Sequence, residues 1–440
     1  MSSWGKCFRG IWKCSGLFLA AFSAAAQPAP FGSEGDLREQ LQAARWDYSN
    51  VVMAMGGLSL IGAQWRAAAG ARLEMVTRPV TMRLSGVLRV GPLGQYAPDI
   101  DEPYDLLRLV DFARVNTPRT RPMHVRVGLL DGLQLGIGHV VNYYGTSVAW
   151  DDRTVGAEFS YHSRALSVAG FTGNVLLGGV SGGRITAYPL FLARAGMTHT
   201  AGFSFSYVTD RTPETDLTAY SADMQLELFT TGGVHFSPFV SYAWYVGYGD
   251  GLAFGADLHA TTFLDLVSFL LRIGAFYNSP HFIPGYVGAL YAVHNQHART
   301  LSASGSNIVG LTLGESRGAS DLMTEFKLEV PPGFSMRYYY RRHFGSQALS
   351  EFHFRLFVRS AQRLRFEVGV DKLGTAGFLG IFDDFDDQSA LVFGADYRFL
   401  GMLYLSVLAR YSFEQVDDGD GPRYLVQRRF EPFAGVRVQL

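Results

Sequence analysis

Residues 321–344, "DLMTEFKLEVPPGFSMRYYYRRHF", decide the fold. Before the two prolines, Leu322, Phe326, Leu328 and Val330 stand opposite Asp321, Glu325, Lys327 and Glu329; after them, Phe334, Met336, Tyr338 and Tyr340 stand opposite Ser335, Arg337, Arg341 and His343. A strand turns successive side chains to opposite faces, so this period of two describes a sheet with one apolar and one charged face. Two further segments repeat it. Phe352, Phe354, Leu356 and Val358 oppose Glu351, His353, Arg355 and Arg359; then Leu364, Phe366, Val368 and Val370 oppose Arg363, Arg365, Glu367 and Asp371. Strands of globular domains usually run about 5 to 6 residues. Several here alternate for about 10 or more, near the length a tilted strand needs to cross a bilayer.

The links between segments alternate in kind. Very short ones fall at 230–233, 261–263, 331–333, 360–362 and 400–401; longer, polar or acidic ones fall at 209–216, 278–286, 374–388 and 415–422. Short turns at one end and long loops at the other are the pattern of an up-and-down antiparallel barrel in a membrane. Lipid offers backbone groups no hydrogen bonds, so such a sheet has to close on itself.

The front of the chain has the order of a secretory signal: Lys6, Arg9 and Lys13, an apolar run from Leu17 to Phe22, then small residues with Ala24 and Ala26 before Gln27. Both cysteines, Cys7 and Cys14, lie in the segment expected to be removed, so the exported chain is expected to have no disulfide. The 38 basic residues are nearly balanced by 39 acidic ones, which gives no electrostatic footprint for nucleic acid. With 14% aromatic residues and a mean hydropathy of +0.08 the chain is too apolar to be disordered. Beyond the signal, the best apolar run, 263–273, is interrupted by Asp265, Ser268 and Arg272, and no uninterrupted apolar stretch approaches the roughly 18 to 20 residues of a spanning helix.

On these features the chain resembles bacterial outer-membrane β-barrel proteins of the porin-like kind. The resemblance is to the class, not to one family's motif. It implies an all-β transmembrane antiparallel barrel, outer-membrane lipid around it, and a last strand read as a sorting signal by the barrel-insertion machinery. Val436, Val438 and Leu440 hold the alternating apolar places of that signal, without the usual terminal Phe. Walking back from Leu440 gives fourteen candidate strands down to residue 197, two of them at 285–295 and 303–313, and a hairpin turning at 162–164. About 16 to 18 strands are expected, with 14 and 20 also open, because single-chain bacterial barrels favour even numbers. The division is a signal at 1–26, a short N-terminal helical segment at 27–70 that lies in the periplasm or plugs the lumen, and a barrel over 71–440.

Several motifs invite chemistry. Residues 179–183, "GVSGG", fit the G-x-S-x-G of a nucleophile elbow, but the following "RITAYPL" reads as a strand and not the helix that Ser181 would need. His294 and His297, with His281 nearby, have zinc-like spacing, yet a strand or turn does not bring positions three apart to one face. The acidic runs at 383–387 and 417–420 match no spaced calcium loop and read as solvated external loops. No metal or cofactor is called for, and no catalytic triad emerges.

The charged face is the functional clue. Arg337, Arg341, Arg355, Arg359, Arg363 and Arg365 share it with Glu325, Lys327, Glu351 and Glu367. After the signal, only Lys327 and Lys372 are lysines. Arginine's planar fork suits carboxylates and anionic solutes alike. Two readings follow: an arginine eyelet that selects solutes, or a salt-bridged wall in which acids and bases satisfy one another. The overall expectation is a porin or channel for small polar or anionic solutes, not an enzyme. The alternatives are a transporter of fatty-acid-type solutes, for which Pro280, Pro284 and Pro432 are possible strand breakers, and a surface-exposed structural or adhesion barrel.

Overall fold

The computed structural model describes residues 31–32 and 50–440, apart from 78–79, 116–122, 164, 177, 190–200, 213–214, 232, 262–266, 294–312, 331–332, 347–348, 361–362, 376–377, 383–384, 386–387 and 418–421. The signal segment, residues 33–49 of the N-terminal segment expected to be helical, His294, His297 and most of both acidic runs lie outside the described residues. Within them, twenty antiparallel strands close into one barrel. They are β1 (Val51–Ile61), β2 (Gln64–Val76), β3 (Val80–Gly91), β4 (Val110–Val115), β5 (Met123–Gly128), β6 (Gly156–His162), β7 (Leu166–Thr172), β8 (Val180–Ala187), β9 (Ala201–Thr212) and β10 (Thr215–Leu226). The second half runs β11 (Val234–Tyr245), β12 (Asp250–Thr261), β13 (Ser268–Asn278), β14 (Ser320–Val330), β15 (Phe334–His343), β16 (Ser350–Ser360), β17 (Leu364–Thr375), β18 (Ser389–Leu400), β19 (Leu403–Asp417) and β20 (Pro422–Gln439). Each pairs with its neighbours in sequence, and β20 returns to pair with β1, Val51 opposite Gln439 and Gly57 opposite Phe433.

The two faces follow the charge pattern. Leu322, Ile273, Phe254 and Leu405 are exposed on the outside, and so are Val436, Val438 and Leu440. Glu325, Arg337 and Arg341 are buried on the inside. Outside, Phe205, Tyr207, Tyr220, Tyr242 and Trp244 form a run of ring contacts across β9 to β11, the aromatic band that membrane barrels place at the lipid interface.

The strand number exceeds the expected 16 to 18, and the difference has a structural cause. Of the fourteen strands read from residue 197 onward, twelve are present. The segment read as a strand at 285–295 instead folds into the lumen as far as residue 293, and 303–312 lies outside the described residues. The missing strands are upstream: eight precede residue 201, and the barrel begins at Val51 and not at residue 71. "VVMAMGGLSLI" and "QWRAAAGARLEMV" are barrel strands β1 and β2, so the N-terminal segment expected over 27–70 gives up its last twenty residues to the wall. Their alternation is hard to see because glycine and alanine occupy both faces. In β7 to β11 it is blurred for another reason: Ala169, Phe171, Val180, Val208 and Leu217 point inward yet are apolar, because they pack on a filled lumen. Ser181 sits in β8 opposite Thr172 and Thr209, on a regular ladder and not on a strained elbow.

Two segments fill that lumen, 129–155 after β5 and 279–293 after β13, both entering from the rim opposite the chain's first and last strand ends. They pair with each other, Val141 beside Val287, and the Asn142 N–H donates to the Val287 carbonyl at 3.1 Å. Leu130, Leu133, Val141, Phe282 and Val287 then form one buried cluster with the inward residues of β7 to β11.

The seam is tight. A Cβ placed on Gly57 would lie 2.1 Å from the Pro432 carbonyl oxygen of β20, whereas one on Gly56 would stand 3.9 Å from its nearest neighbour. Gly57→Val should therefore wedge β1 from β20 and strongly reduce the fraction of protein that migrates as a compact, heat-modifiable band on gels. Gly56→Ala should leave that band in place.

Candidate functional site

The inward segment 129–155 crosses the lumen and is held at three places. First, Leu130, Leu133 and Leu135 pack on the apolar wall of β7 to β11. Second, Tyr143, fully buried at φ 57°, lies against β15 and β16. Its ring stacks on His353 at 4.1 Å and 9°, with the Arg337 guanidinium 4.2 Å from its centroid. A cation over an aromatic face in a desolvated site is worth about 2 kcal/mol or more. Third, Ala149 bridges to Phe413 of β19, and Asp151 accepts hydrogen bonds from Arg429, at 2.6 and 2.7 Å, from Tyr96 at 2.7 Å and from Gln427 at 3.0 Å. Burial pushes the Asp151 carboxyl up, but Arg429 and these donors outweigh it and hold the group below the usual carboxylate range.

Several of the charges singled out from sequence serve this anchorage. Arg337 reaches Glu325 at 2.6 Å and donates to the Gln134 side chain of the inward segment at 2.8 Å. Glu325 is fully buried and also faces Arg272 at 3.2 Å and Lys327 at 3.5 Å. Arg341 joins Asp321 at 2.6 Å and Glu351 at 3.1 Å, and Glu351 accepts from Asn142 of the inward segment at 3.0 Å. Arg359 is buried in the same wall, directly opposite Arg365. Buried charges are tolerated when paired and hydrogen-bonded, and this part of the lumen is a salt-bridged wall clasping the segment that fills it.

Across the barrel the geometry differs. Between the inward segment and the walls β1 to β5 and β16 to β20 lies a cavity of about 280 Å³. Arg355 and Arg365 line it, with Glu367 among the acids. Arg355 is tied to Asp371 at 2.8 Å and to Asp131 at 3.0 Å, and Arg365 is paired with Asp396. Five more arginines that were not singled out from sequence line the same cavity: Arg72, Arg83, Arg89, Arg126 and Arg410. Their signal was present. Arg83, Ser85, Val87 and Arg89 alternate along β3, and Ser406, Leu408, Arg410 and Ser412 along β19. A narrower extension of about 30 Å³ continues towards the rim where β1 begins, sharing Arg72, Arg365 and Asp396 and adding Arg363, Arg398 and Arg437. The larger cavity has seven arginines against six carboxylates; the extension has five against two. No lysine lines either.

No family model matches this chain, and no curated protein matches its sequence. Among solved structures it is similar to Pseudomonas aeruginosa OpdL, with 11% identity over 90% of this chain and 99% of that one, at a TM-score of 0.31. It is likewise similar to Acinetobacter baumannii OccAB3, with 11% identity over 90% and 100%, at 0.32. Wzi of Escherichia coli, described as a carbohydrate-binding β-barrel involved in group 1 capsule assembly, matches with 10% identity over 92% and 88%, at 0.34. Scores this low add nothing to what the barrel itself shows. The closed even-stranded ring, apolar outside and charged within, has the architecture of a transmembrane β-barrel.

Two outcomes follow for the inward segment. Replacing Tyr143 with Ala removes the stack on His353 and the cation contact at once, about 3 kcal/mol or more for a buried aromatic. Single-channel recordings should then show larger and noisier conductance than wild type. His139, at the tip of the segment, is fully buried: its Nδ1 lies 2.9 Å from Ser241 Oγ, and Phe276 and Phe282 meet its ring edge-on at 5.3 Å. Burial lowers its pKa to about 4, with Asp223 opposing that shift and Arg341 reinforcing it. The docked imidazole is thus neutral, while a released one protonates near 6.5. Docking is at full strength above pH 6.5 and weakens as pH falls towards 4, by on the order of 3 kcal/mol. Noise from segment motion should rise across that window and be much reduced in His139→Phe.

Proposed function

We propose that this protein is an outer-membrane channel passing small polar or anionic solutes, with the cavity along β1 to β5 and β16 to β20 as their path. The observation that carries this reading is the arginine excess of the cavity and its extension, in a lumen whose opposite half is packed shut. Fixed guanidinium groups on one wall, with carboxylates interspersed, attract anions and orient dipolar solutes. Within the arginine set, Arg355, Arg363 and Arg365 face the solute with Glu367, while Arg337, Arg341 and Arg359, with Glu325, Lys327 and Glu351, brace the wall that positions it. The volume of about 280 Å³ lies just below the roughly 300 to 1,000 Å³ of drug-sized pockets, which suits a small solute.

The same reading includes export by the N-terminal signal, with the barrel-insertion machinery reading Val436, Val438 and Leu440 on the outer face of β20. Catalysis forms no part of it: Ser85 donates to Asp111 at 2.7 Å and Ser406 to Asp396 at 2.5 Å, but among the described residues no histidine lines the cavity to complete a triad.

In planar bilayers under a KCl gradient, the wild-type protein should insert with discrete conductance steps and a reversal potential favouring chloride. Arg72→Gln combined with Arg365→Gln should move that potential towards potassium. An absence of steps, or an unchanged potential in the double variant, would contradict the proposal.

A further inference from the structure

Along the inner face of β19 and β20, four residues meet in two directly opposed pairs, Arg410 with Arg429 and Ser412 with Gln427. Like charges opposite one another on antiparallel strands repel. Only Arg429 of the two has an acid partner, Asp151 at 2.6 Å through a single nitrogen. Among the described residues the Arg410 side chain makes no hydrogen bond and no ion pair, and the nearby Glu431 is taken by Arg89 at 2.7 Å and by Ser59 at 2.8 Å. Arg410 lies flat on Trp150, its guanidinium 3.4 Å from the ring centroid, and Arg153 stands over the same ring at 4.5 Å. That stack fixes the guanidinium plane and leaves its N–H edge for another acceptor.

The unmet groups are all able to donate. Arg410 Nε, Arg429 Nε and Nη1, and Ser412 Oγ are buried without a hydrogen-bond partner among the described residues. Ser412 and Arg429 are more than nine-tenths buried, and both Arg410 and Ser412 line the cavity. Leaving a buried charged donor unmet is costly, and such donors are normally satisfied. An oxyanion supplies several acceptor lone pairs and one or more negative charges to a place with surplus of neither.

We propose that the cavity holds a docking site for one oxyanion, a carboxylate or a phosphate group, bound between the Arg410 guanidinium edge and the Ser412 hydroxyl, with Trp150 holding the arginine in place. This deepens the channel reading and rests on it only for the purpose of the site, which would be a stopping point for an anionic solute at the wall.

The test is the thermal unfolding of the full-length protein in detergent, titrated with inorganic phosphate and, separately, with succinate, against KCl of matched ionic strength. Either oxyanion should raise the unfolding temperature saturably where chloride does not, and the two titrations tell phosphate from carboxylate preference. Arg410→Met should weaken the apparent midpoint roughly tenfold or more, as expected for a lost charge-assisted pair. Ser412→Ala, a smaller change that keeps the stack on Trp150, should weaken it roughly fivefold. Arg342→Gln, on the outer face of β15, should match wild type. No saturable shift with either oxyanion, or wild-type midpoints in both cavity variants, overturns the site. Chloride-selective current without phosphate or succinate stabilisation would remove the site and leave the channel. Stabilisation that depends on Arg410 in a protein passing no current would remove the channel and leave the site.

Discussion

Every backbone N–H and C=O that faces lipid has to be hydrogen-bonded within the protein, and the rest of this structure depends on that requirement. It forces β20 back onto β1, and the lipid outside leaves most of the charged side chains of the strands on the inside. The seam is where the demand is hardest to meet. Pro432 has no N–H to offer there, and Gly57 allows β1 to approach the Pro432 carbonyl closely. The Ser59 hydroxyl donates to Glu431 across the same place, so that a side chain supports the join.

A twenty-stranded ring is too wide for its own side chains to fill, and this barrel treats its two halves differently. From β6 to β15 the interior resembles the core of a soluble protein, with leucines, valines and aromatic rings of two inward segments packed on an apolar wall. From β16 through the seam to β5 it holds the arginine-lined cavity, with one apolar cluster where Leu290 and Val293 meet Ala390, Phe413 and Tyr424. Tyr143 and the paired charges around Arg337 and Arg341 mark the border. Those arginines look like selectivity groups when strands are read alone, and they become clasps once the segment they hold is present.

How much was legible follows from the same division. The clean alternation of 321–370 identified a sheet with a lipid face, and twelve strands from β9 to β20 lie close to where the period of two puts them. The pattern faded wherever the lumen is packed, because inward residues such as Phe171 and Val208 are as apolar as the lipid-facing ones. It faded also in β1 and β2, where glycine and alanine erase the contrast. Residues 285–293 are apolar enough to pass for a strand, and nothing local says that they bury themselves against another loop and not against lipid. Arg83, Arg89 and Arg410 could have been found by the rule that found Arg355 and Arg365. Which arginines share a cavity depends on ring closure, and no single stretch of sequence contains that information.

The cavity's place on the ring has a consequence for assembly. The packed half is built from β6 to β15 and the two inward segments, neighbours in the chain that can find one another early. The half with the cavity is made from both ends of the chain and exists only once residues 388 positions apart, Val51 and Gln439, have met. Long-range contacts of that kind are the slow ones. A half-made barrel would therefore have its inward segments packed before its cavity is enclosed.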